Sequence, residues 1–251
     1  MMRVLRPLLV LAGVCAAWEL VVRATGVPHY ILPGPVRVAN ALAAQHAFIL
    51  ENAATTLLEM LLGMLLGVAC GSVSALLLAQ SRAVRRWFLP LVLASQAIPV
   101  FAIAPLLVLW LGFGIASKVA AAALIIFFPV TSAFYDGLVR TERGWLDLAH
   151  VMGARPAAIL LRLRVPAALP ALASGIRVAA AVAPIGAVIG EWVGASAGLG
   201  FLMLQANAQM QVDLLFAALS VLALFAIAFY AAIDRLLRLL VPWQPVTSDS
   251  D

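Results

Sequence analysis

Few residues of this chain have side chains that could do chemistry, and the most suggestive pair is Asp147 with His150. Three residues apart on a helix, a carboxylate and an imidazole lie on one face, where they can act as an acid–base pair. No serine or cysteine that could serve as a nucleophile lies near them in the sequence. An enzyme, such as an intramembrane hydrolase or a lipid-modifying protein, is therefore kept only as the less favoured alternative class of function.

The other reactive residues do not form a nucleotide or metal site. A P-loop needs a lysine directly after a glycine to neutralise phosphate charge, but the single lysine, Lys118, follows Ser117. Histidine, cysteine and acidic residues do not cluster at the spacing of metal ligands. Cys15 and Cys70 lie inside apolar segments, where cysteine acts as a small packing residue. We expect the chain to bind no cofactor and to hydrolyse no ATP itself.

The composition requires lipid around the chain. Of its 251 residues, 65% are hydrophobic and 11% are charged, whereas a soluble domain carries about 25% charged residues. All but one of the 16 basic residues are arginines, and they stand at the ends of apolar runs. This placement suits a membrane protein, so no nucleic acid is expected as a partner in spite of a pI of about 10.0.

Six segments are long and apolar enough to cross a hydrocarbon core about 30 Å thick, which takes about 20 helical residues. Backbone groups in lipid must be paired within each segment, so the spans are expected to be helices. The sequence therefore predicts an all-α membrane protein with a single membrane domain over residues 1–251. The spans are expected at 5–22, 56–79, 88–111, 117–135, 167–189 and 214–233.

The segments before and between the spans carry further expectations. The apolar run after Arg3 and Arg6 continues through Trp18 and Val22, which favours an uncleaved first helix over a signal peptide. Residues 36–50 are expected to form an amphipathic helix at the outer interface. The polar tail, 244–251, is expected to be disordered.

The arginines predict the orientation. If the N-terminus is cytoplasmic, only Arg23, Arg37 and Lys118 lie on the outer side, and Arg177 lies within the fifth span. The cytoplasmic ends of the spans then carry Arg3, Arg6, Arg82, Arg85, Arg86, Arg140, Arg143, Arg155, Arg162, Arg164, Arg235 and Arg238. The positive-inside rule supports this orientation, which places residues 136–166 in the cytoplasm.

Glycine recurs at every fourth position in two of the predicted spans. These residues are Gly63, Gly67 and Gly71 in the second span and Gly186, Gly190 and Gly194 in the fifth. Small residues at this period let helices approach closely. We interpret them as packing positions within the chain, with a dimer seam or a pore lining as the alternative.

The polar segment 136–166 has the composition of two short helices joined at an angle. Residues 145–152 are helix formers, Gly153 can end that helix with a positive φ, and Pro156 can begin the next. The segment is too polar for lipid and too short for a domain of its own. It is expected to be a rigid connection between the fourth and fifth spans.

The spacing of this segment resembles the EAA loop of the membrane-spanning subunits of ABC importers. That pattern is Glu-Ala-Ala, three residues, Gly, nine residues and Ile-x-Leu-Pro. Here Asp147, Leu148 and Ala149 occupy the first three positions, Gly153 is the glycine, and residues 163–166 are Leu-Arg-Val-Pro. The spacing is kept in full.

The resemblance covers most of the chain. Residues 31–35, Ile-Leu-Pro-Gly-Pro, resemble the Leu-Pro-x-Pro motif of the permeases for sulfonates, taurine and nitrate. Residues 98–105 and 111–118 are similar to their third span and its outer turn, and 190–200 to the loop after their fifth span. Within that group, 95–101, 127–137 and 192–208 look most like permeases for hydroxymethylpyrimidine, a thiamine precursor.

This resemblance implies the permease subunit of an ABC importer in a bacterial cytoplasmic (inner) membrane. The implied cargo is a small organic solute of the hydroxymethylpyrimidine type, with a sulfonate, taurine or nitrate as the alternative. Two permease chains, identical or paired with a sister, would surround a central path. Two separate ATPase subunits would bind ATP and Mg²⁺ below, and a substrate-binding protein would dock outside.

The resemblance also implies roles for particular residues. In the loop 136–166, the helix at 145–152 would lie in a groove of the ATPase and couple its closure to the spans. The coupling residues are then expected to be Arg143, Leu146, Asp147, Ala149, Met152, Gly153, Leu163 and Pro166. Residues expected along the translocation path are Ser95, Gln96, Pro99, Glu191 and Trp192.

An ion-coupled secondary transporter is the competing interpretation. Such carriers place ionisable groups near the bilayer midplane, and the candidates here are Glu59, Arg177 and Glu191. Both glutamates are expected near the outer surface, and no charged partner at the depth of Arg177 is evident. Arg177 is expected to pair with helix-end carbonyls or to reach toward the cytoplasmic interface.

Overall fold

A computed structural model describes residues 2–243 of the chain, with the side chains of residues 2–8, 11 and 82 outside the described set. The regular elements of this part are all helical, which confirms the predicted all-α class. The predicted disorder of the tail, 244–251, lies outside the described residues. The helices are α1 (Met2–Thr25), α2 (Pro35–Ala44), α3 (His46–Gln80), α4 (Arg82–Ala97), α5 (Val100–Leu111), α6 (Ile115–Val139), α7 (Arg143–Val151), α8 (Pro156–Ile159), α9 (Val165–Gly194), α10 (Leu199–Ala208) and α11 (Val212–Leu240).

Four stretches of the described chain are helical, long and apolar enough to cross a membrane. They are His46–Gln80, Ile115–Val139, Pro156–Gly194 and Val212–Leu240, and they contain the predicted spans at 56–79, 117–135, 167–189 and 214–233. The predicted first span, 5–22, lies within α1. A fifth crossing is possible if α4 and α5 together form one broken span.

The segment 88–111 is two helices and not the single one expected. The axes of α4 and α5 differ by 101°. Pro99 lacks the amide hydrogen that would continue the helix, and it holds the preceding Ile98 in an extended conformation, at φ −95° and ψ 116°. The proline that sequence reasoning noted at this position therefore breaks the segment completely.

The segment 36–50 also differs from the expected single helix. Helix α2 ends at Ala44, and Gln45 leaves the helical conformation, at φ −118° and ψ 21°. His46 then begins α3, which continues without interruption for 35 residues. No glycine or proline marks this break, so composition alone could not locate it.

The chain divides into two compact units, and α3 and α11 each contribute residues to both. The first unit holds Met1–Thr56 and Ser196–Leu224. In it, two buried side chains of α3 cap the start of α10. The amide of Gly198 donates to Asn52 Oδ1 and that of Leu199 to Thr56 Oγ1, each at 2.8 Å. Since the first amides of a helix have no partner within it, these bonds fix the position of α10 in this unit.

The second unit, Leu57–Ala195 with Phe225–Asp251, is built around α6. Helices α3 and α9 both pack on α6 through their glycines. A Cβ atom on Gly63 would lie 2.5 Å from the Ala122 Cβ, and one on Gly186 would lie 2.6 Å from the Ala122 Cα. Helix–helix association in lipid depends on such close van der Waals packing. These contacts within the chain confirm the packing interpretation of the glycines.

Replacing Gly186 with valine is expected to destabilise the second unit. The new side chain would meet the backbone of α6 at Ala122, which cannot move aside as a flexible side chain would. Overpacking of this kind costs about 1–3 kcal/mol, so the apparent Tm in detergent should fall by several degrees. Gly114→Ala is the matched control, because a Cβ atom there meets nothing within 4 Å. An unchanged Tm for Gly186→Val would contradict this packing.

Candidate functional site

Helix α7 carries an exposed apolar face. Trp145, Leu148, Ala149 and Met152 follow the spacing that places side chains on one side of a helix. Trp145 is 51% exposed, Leu148 61% and Met152 76%. A free helix that presents large apolar side chains to water marks a surface for a partner.

This face forms one wall of a hollow of about 400 Å³. The opposite wall comes from the residues after Gly153, which fold back alongside α7. The hollow is lined by Trp145, Leu148, Ala149, Met152, Ala154, Ala158, Ile159, Arg162 and Leu163. Among the predicted coupling residues, Ala149, Met152 and Leu163 thus share one concave, mainly apolar surface. Trp145 and Leu148 belong to it as well, and sequence reasoning left them off the list of coupling residues.

Gly153 ends α7 as predicted. Its φ is +71°, and two backbone bonds close the turn, from Gly153 N to His150 O at 2.9 Å and from Ala154 N to Ala149 O at 3.0 Å. These are the two bonds of a Schellman motif, whose left-handed position suits glycine. The turn fixes the direction in which the chain leaves α7.

The second arm of the loop begins at Pro156, the first residue of α8, which confirms the predicted helix start. A π-helical turn, Leu160–Arg164, connects α8 with α9. Such wide turns are rare and occur often at functional sites. Pro166 follows this turn at the start of α9, where it has no amide hydrogen to donate to the carbonyls of the preceding turn. The second arm of the loop therefore runs directly into α9, whereas residues 140–142 separate α6 from α7.

The polar residues of α7 do not form a catalytic pair. His150 Nδ1 donates to the carbonyl of Leu146 at 2.6 Å, so this nitrogen is used within the helix. Arg143 and Asp147 are exposed, and Leu146 is half-buried. Arg143 and Asp147 are available for polar contacts with a partner, whereas Leu146 is less available for packing than its apolar neighbours Trp145 and Leu148.

The predicted path residues fall at two places in the second unit. Ser95, Gln96 and Pro99 lie at the bend between α4 and α5, where Gln96 is exposed and Ser95 Oγ donates to Val92 O at 2.7 Å. Glu191 and Trp192 lie in the last turn of α9, where Glu191 is buried and Trp192 is exposed. Their role along a path stays a prediction.

Glu191 belongs to a buried cluster that sequence reasoning missed. We call Glu59 of α3, Lys118 of α6 and Glu191 of α9 the Lys118 cluster; the three side chains are buried, with residue exposures of 1–3%. Lys118 lies within electrostatic reach of both glutamates, which interact with each other. The sequence placed Lys118 on the outer side at the edge of a span, and the structure shows that its side chain is buried among helices.

The ammonium group of Lys118 also joins two parts of the backbone. Nζ donates to Gly114 O at 2.9 Å and to Phe113 O, both in the turn between α5 and α6. It donates as well to Gly194 O at the end of α9, at 2.9 Å. An ammonium has three donors, so every one of them is used.

Arg177 has a carboxylate partner that the sequence did not reveal. Its Nε lies 2.7 Å from Asp234 Oδ1, and the other oxygen of Asp234 lies 2.9 Å from Arg238 Nε. The expectation that no charged pair would be evident for Arg177 is therefore wrong. Asp234 was overlooked because it is 57 residues away in sequence and close to the predicted end of the last span. The pair joins α9 to α11.

No group of three or more metal-ligating side chains occurs within residues 2–243. The features that the described chain does present are an exposed apolar hollow on a short polar loop, long apolar helices and paired charges between them. Long apolar helices joined by short polar loops are the architecture of a multi-pass membrane protein.

The comparisons with known proteins identify the class. Residues 63–244 match the family described as the binding-protein-dependent transport system inner membrane component, and the chain belongs to this family. It is thus a multi-pass permease of the ABC importer type in the cytoplasmic membrane, a transport component whose ATPase is a separate subunit. Because the chain belongs to this family, the two alternatives, an enzyme and an ion-coupled secondary transporter, are excluded.

Two relatives and one solved structure extend this match. A probable ABC transporter permease protein of Haemophilus influenzae is 52% identical over 94% of this chain and 96% of its own. The formylaminopyrimidine transport permease protein ThiX of Halalkalibacterium halodurans is 37% identical over 96% of both chains. A chain of the MetNI methionine ABC transporter, at 19% identity, has a TM-score of 0.68 and covers 78% of this chain and 97% of that one. This last likeness shows the fold of a type I importer permease.

Proposed function

We propose that this permease carries a small pyrimidine of the thiamine-precursor type, such as hydroxymethylpyrimidine or formylaminopyrimidine. The observation that carries the proposal is the 37% identity with a formylaminopyrimidine permease, which extends over 96% of both chains. The segments 95–101, 127–137 and 192–208, which look most like hydroxymethylpyrimidine permeases, point to the same cargo class. A sulfonate or taurine is the alternative that the wider family resemblance supports.

The proposed topology has six spans and a cytoplasmic N-terminus. Five spans correspond to the apolar helices and the bent pair α4–α5, and α1 supplies the sixth. Twelve arginines would then lie on the cytoplasmic side, against two arginines and Lys118 outside. In this orientation the loop 136–166 faces the ATPase, and the turn at Gly114 and the end of α9 face outward.

The loop 136–166 is proposed to act as the EAA coupling loop. The exposed apolar residues of α7 and the hollow beside them would receive a surface of the ATPase, while Arg143 and Asp147 make polar contacts at its rim. Because α6 leads into the loop and α9 leads out of it, movement of the ATPase would tilt both helices. ATP and Mg²⁺ would bind to the ATPase and not to this chain.

The proposed assembly has two permease chains, two ATPase subunits and one substrate-binding protein outside. A two-fold pair of permeases gives each loop its own ATPase subunit. The path between the permeases would be lined near the bend by Ser95, Gln96 and Pro99. Glu191 and Trp192 would lie near its outer end, where the binding protein delivers the cargo.

Uptake by the reconstituted transporter tests the cargo. Liposomes that hold the permease with its ATPase, supplied with the binding protein and internal ATP, should accumulate labelled hydroxymethylpyrimidine or formylaminopyrimidine. Taurine, a zwitterionic sulfonate, and riboflavin, a larger heterocycle, should not accumulate. In the control for energy coupling, the internal ATP is replaced by a non-hydrolysable analogue, and no solute should accumulate. Accumulation of taurine without either pyrimidine would assign the chain to the sulfonate branch instead.

A further inference from the structure

We propose that Lys118 is a positioning residue that fastens the end of α9 to the turn between α5 and α6, so that the two helices carrying the coupling loop tilt as one rigid pair. This inference rests on the proposed function, since it assumes that the loop receives work from an ATPase. It assigns a mechanical role to a residue far from that loop in the fold.

The first observation is where the Lys118 cluster lies. Lys118 is in the first turn of α6 and Glu191 in the last turn of α9, and α6 and α9 run antiparallel. The coupling loop joins the opposite ends of the same two helices, after Val139 and before Val165. The two helices are thus connected by the loop at one end and by Lys118 at the other.

The second observation is how closely the helices approach between these two ends. A Cβ atom on Gly190 would lie 2.9 Å from the Lys118 Cα, and one on Gly175 would lie 2.7 Å from the Ala133 Cβ. Gly137 of α6 is in the same kind of contact with Ala171 of α9. Packing this close holds α6 and α9 together along their length.

The third observation is that Lys118 adds hydrogen bonds between the end of α9 and the turn before α6. Its Nζ donates to Gly194 O of α9 and to Gly114 O and Phe113 O of the turn before α6. A displacement of α9 along α6 would break the bond to Gly194, and because Lys118 is buried, water has little access to replace it. The end of α9 is therefore held in register with α6.

The fourth observation explains why a lysine can lie there. An isolated ammonium group is costly to bury, and here Lys118 is buried beside two carboxyl groups, those of Glu59 in α3 and Glu191 in α9. Ser117, which precedes Lys118, is also buried, and its hydroxyl donates to Gly114 O at 3.1 Å. It is uncharged and does not compete with Lys118 for the glutamates. Ionisable residues within spans are rare and mark function by default.

The test is the number of solute molecules taken up per ATP hydrolysed by the complete transporter in liposomes. Lys118→Met has a similar length but no charge and no donor, so α9 loses its fastening to the turn. Losing a charged hydrogen bond of this kind shifts a conformational equilibrium by about tenfold or more, and the uptake-to-ATP ratio should fall by about that factor.

Two further variants separate positioning from a general loss of stability. Lys118→Arg keeps the charge that balances the glutamates, but its planar fork does not match the three carbonyls. It should fold, yet its amides at 112–117 and 192–195 should exchange with D₂O several-fold faster than those of the wild type. Arg177→Met removes another paired cation of α9, the one that pairs with Asp234 of α11, so its uptake-to-ATP ratio should stay near the wild-type value.

The outcomes are distinct. The proposal is supported if the uptake-to-ATP ratio falls for Lys118→Met but not for Arg177→Met, and if amide exchange is faster in Lys118→Arg. It is overturned if a folded Lys118→Met keeps the wild-type uptake-to-ATP ratio, or if Arg177→Met lowers that ratio equally. Unchanged amide exchange in Lys118→Arg also overturns it. Wild-type transporter that takes up no solute with ATP refutes the proposed function instead, and the exchange measurement on Lys118→Arg still decides whether Lys118 fastens the helices.

Discussion

Replacing Gly153 with valine should reduce ATP-driven uptake at least tenfold while leaving membrane insertion and abundance unchanged. Gly153 has a φ of +71°, and a Cβ atom there would meet nothing within 4 Å. The expected defect is therefore conformational and not steric. A β-branched residue in the left-handed region costs about 1–3 kcal/mol, so the turn should relax and α7 should leave its orientation against the second arm of the loop.

Gly153→Asn is the matched control for this prediction. Asparagine tolerates the left-handed conformation better than other residues with a side chain, so it should keep most of the uptake. Both variants should be compared at equal protein levels in the membrane fraction. Full uptake by Gly153→Val would contradict a role for the turn in coupling.

Replacing Leu148 with glutamate should separate the permease from its ATPase. Leu148 is 61% exposed and lines the apolar hollow. A charged group at the centre of an apolar contact loses the packing of the leucine and stays without a partner. Losses at such central positions are about 2–4 kcal/mol, which corresponds to binding weaker by about a hundredfold. The ratio of ATPase to permease after affinity purification measures this directly.

Val151→Glu provides the control on the same helix. Val151 is 86% exposed but does not line the hollow, so its replacement should leave co-purification close to normal. The two variants add the same charge at positions three residues apart. If both release the ATPase equally, the contact depends on the net charge of α7 and not on the hollow.

The conformation of the loop could be predicted from the sequence because its signals are local. A glycine that ends one helix and a proline that begins the next act through their own backbone, independently of the rest of the fold. Asp147, Gly153 and Pro166 were assigned to the loop through its resemblance to the EAA pattern, and their role in coupling stays a prediction. Trp145 and Leu148 could have been found too, since with Ala149 and Met152 they complete a helical apolar face. The π-helical turn at Leu160–Arg164 has no comparable sequence signal.

The Lys118 cluster was harder to predict because its members come from three helices. A hint was present, since Glu59 precedes Gly63 by four residues and therefore continues the glycine face of α3 toward α6. Gly190, next to Glu191, packs on Lys118 in the same way from α9. The alignment of these faces depends on how the helices are paired, and the sequence of one helix does not contain that information. The pairing of Arg177 with Asp234 was missed for the same reason.

The most direct test of the account is a site-specific cross-link between α7 and the ATPase. Cys15 and Cys70 are replaced by serine, Leu148 is replaced by cysteine, and membranes holding the complete transporter are treated with a short photoactivatable thiol cross-linker. We expect an adduct between permease and ATPase, with a yield that changes when ATP is bound, and no labelling of this cysteine by impermeant reagents outside intact cells. A cysteine that is labelled from outside and forms no adduct with the ATPase would contradict it.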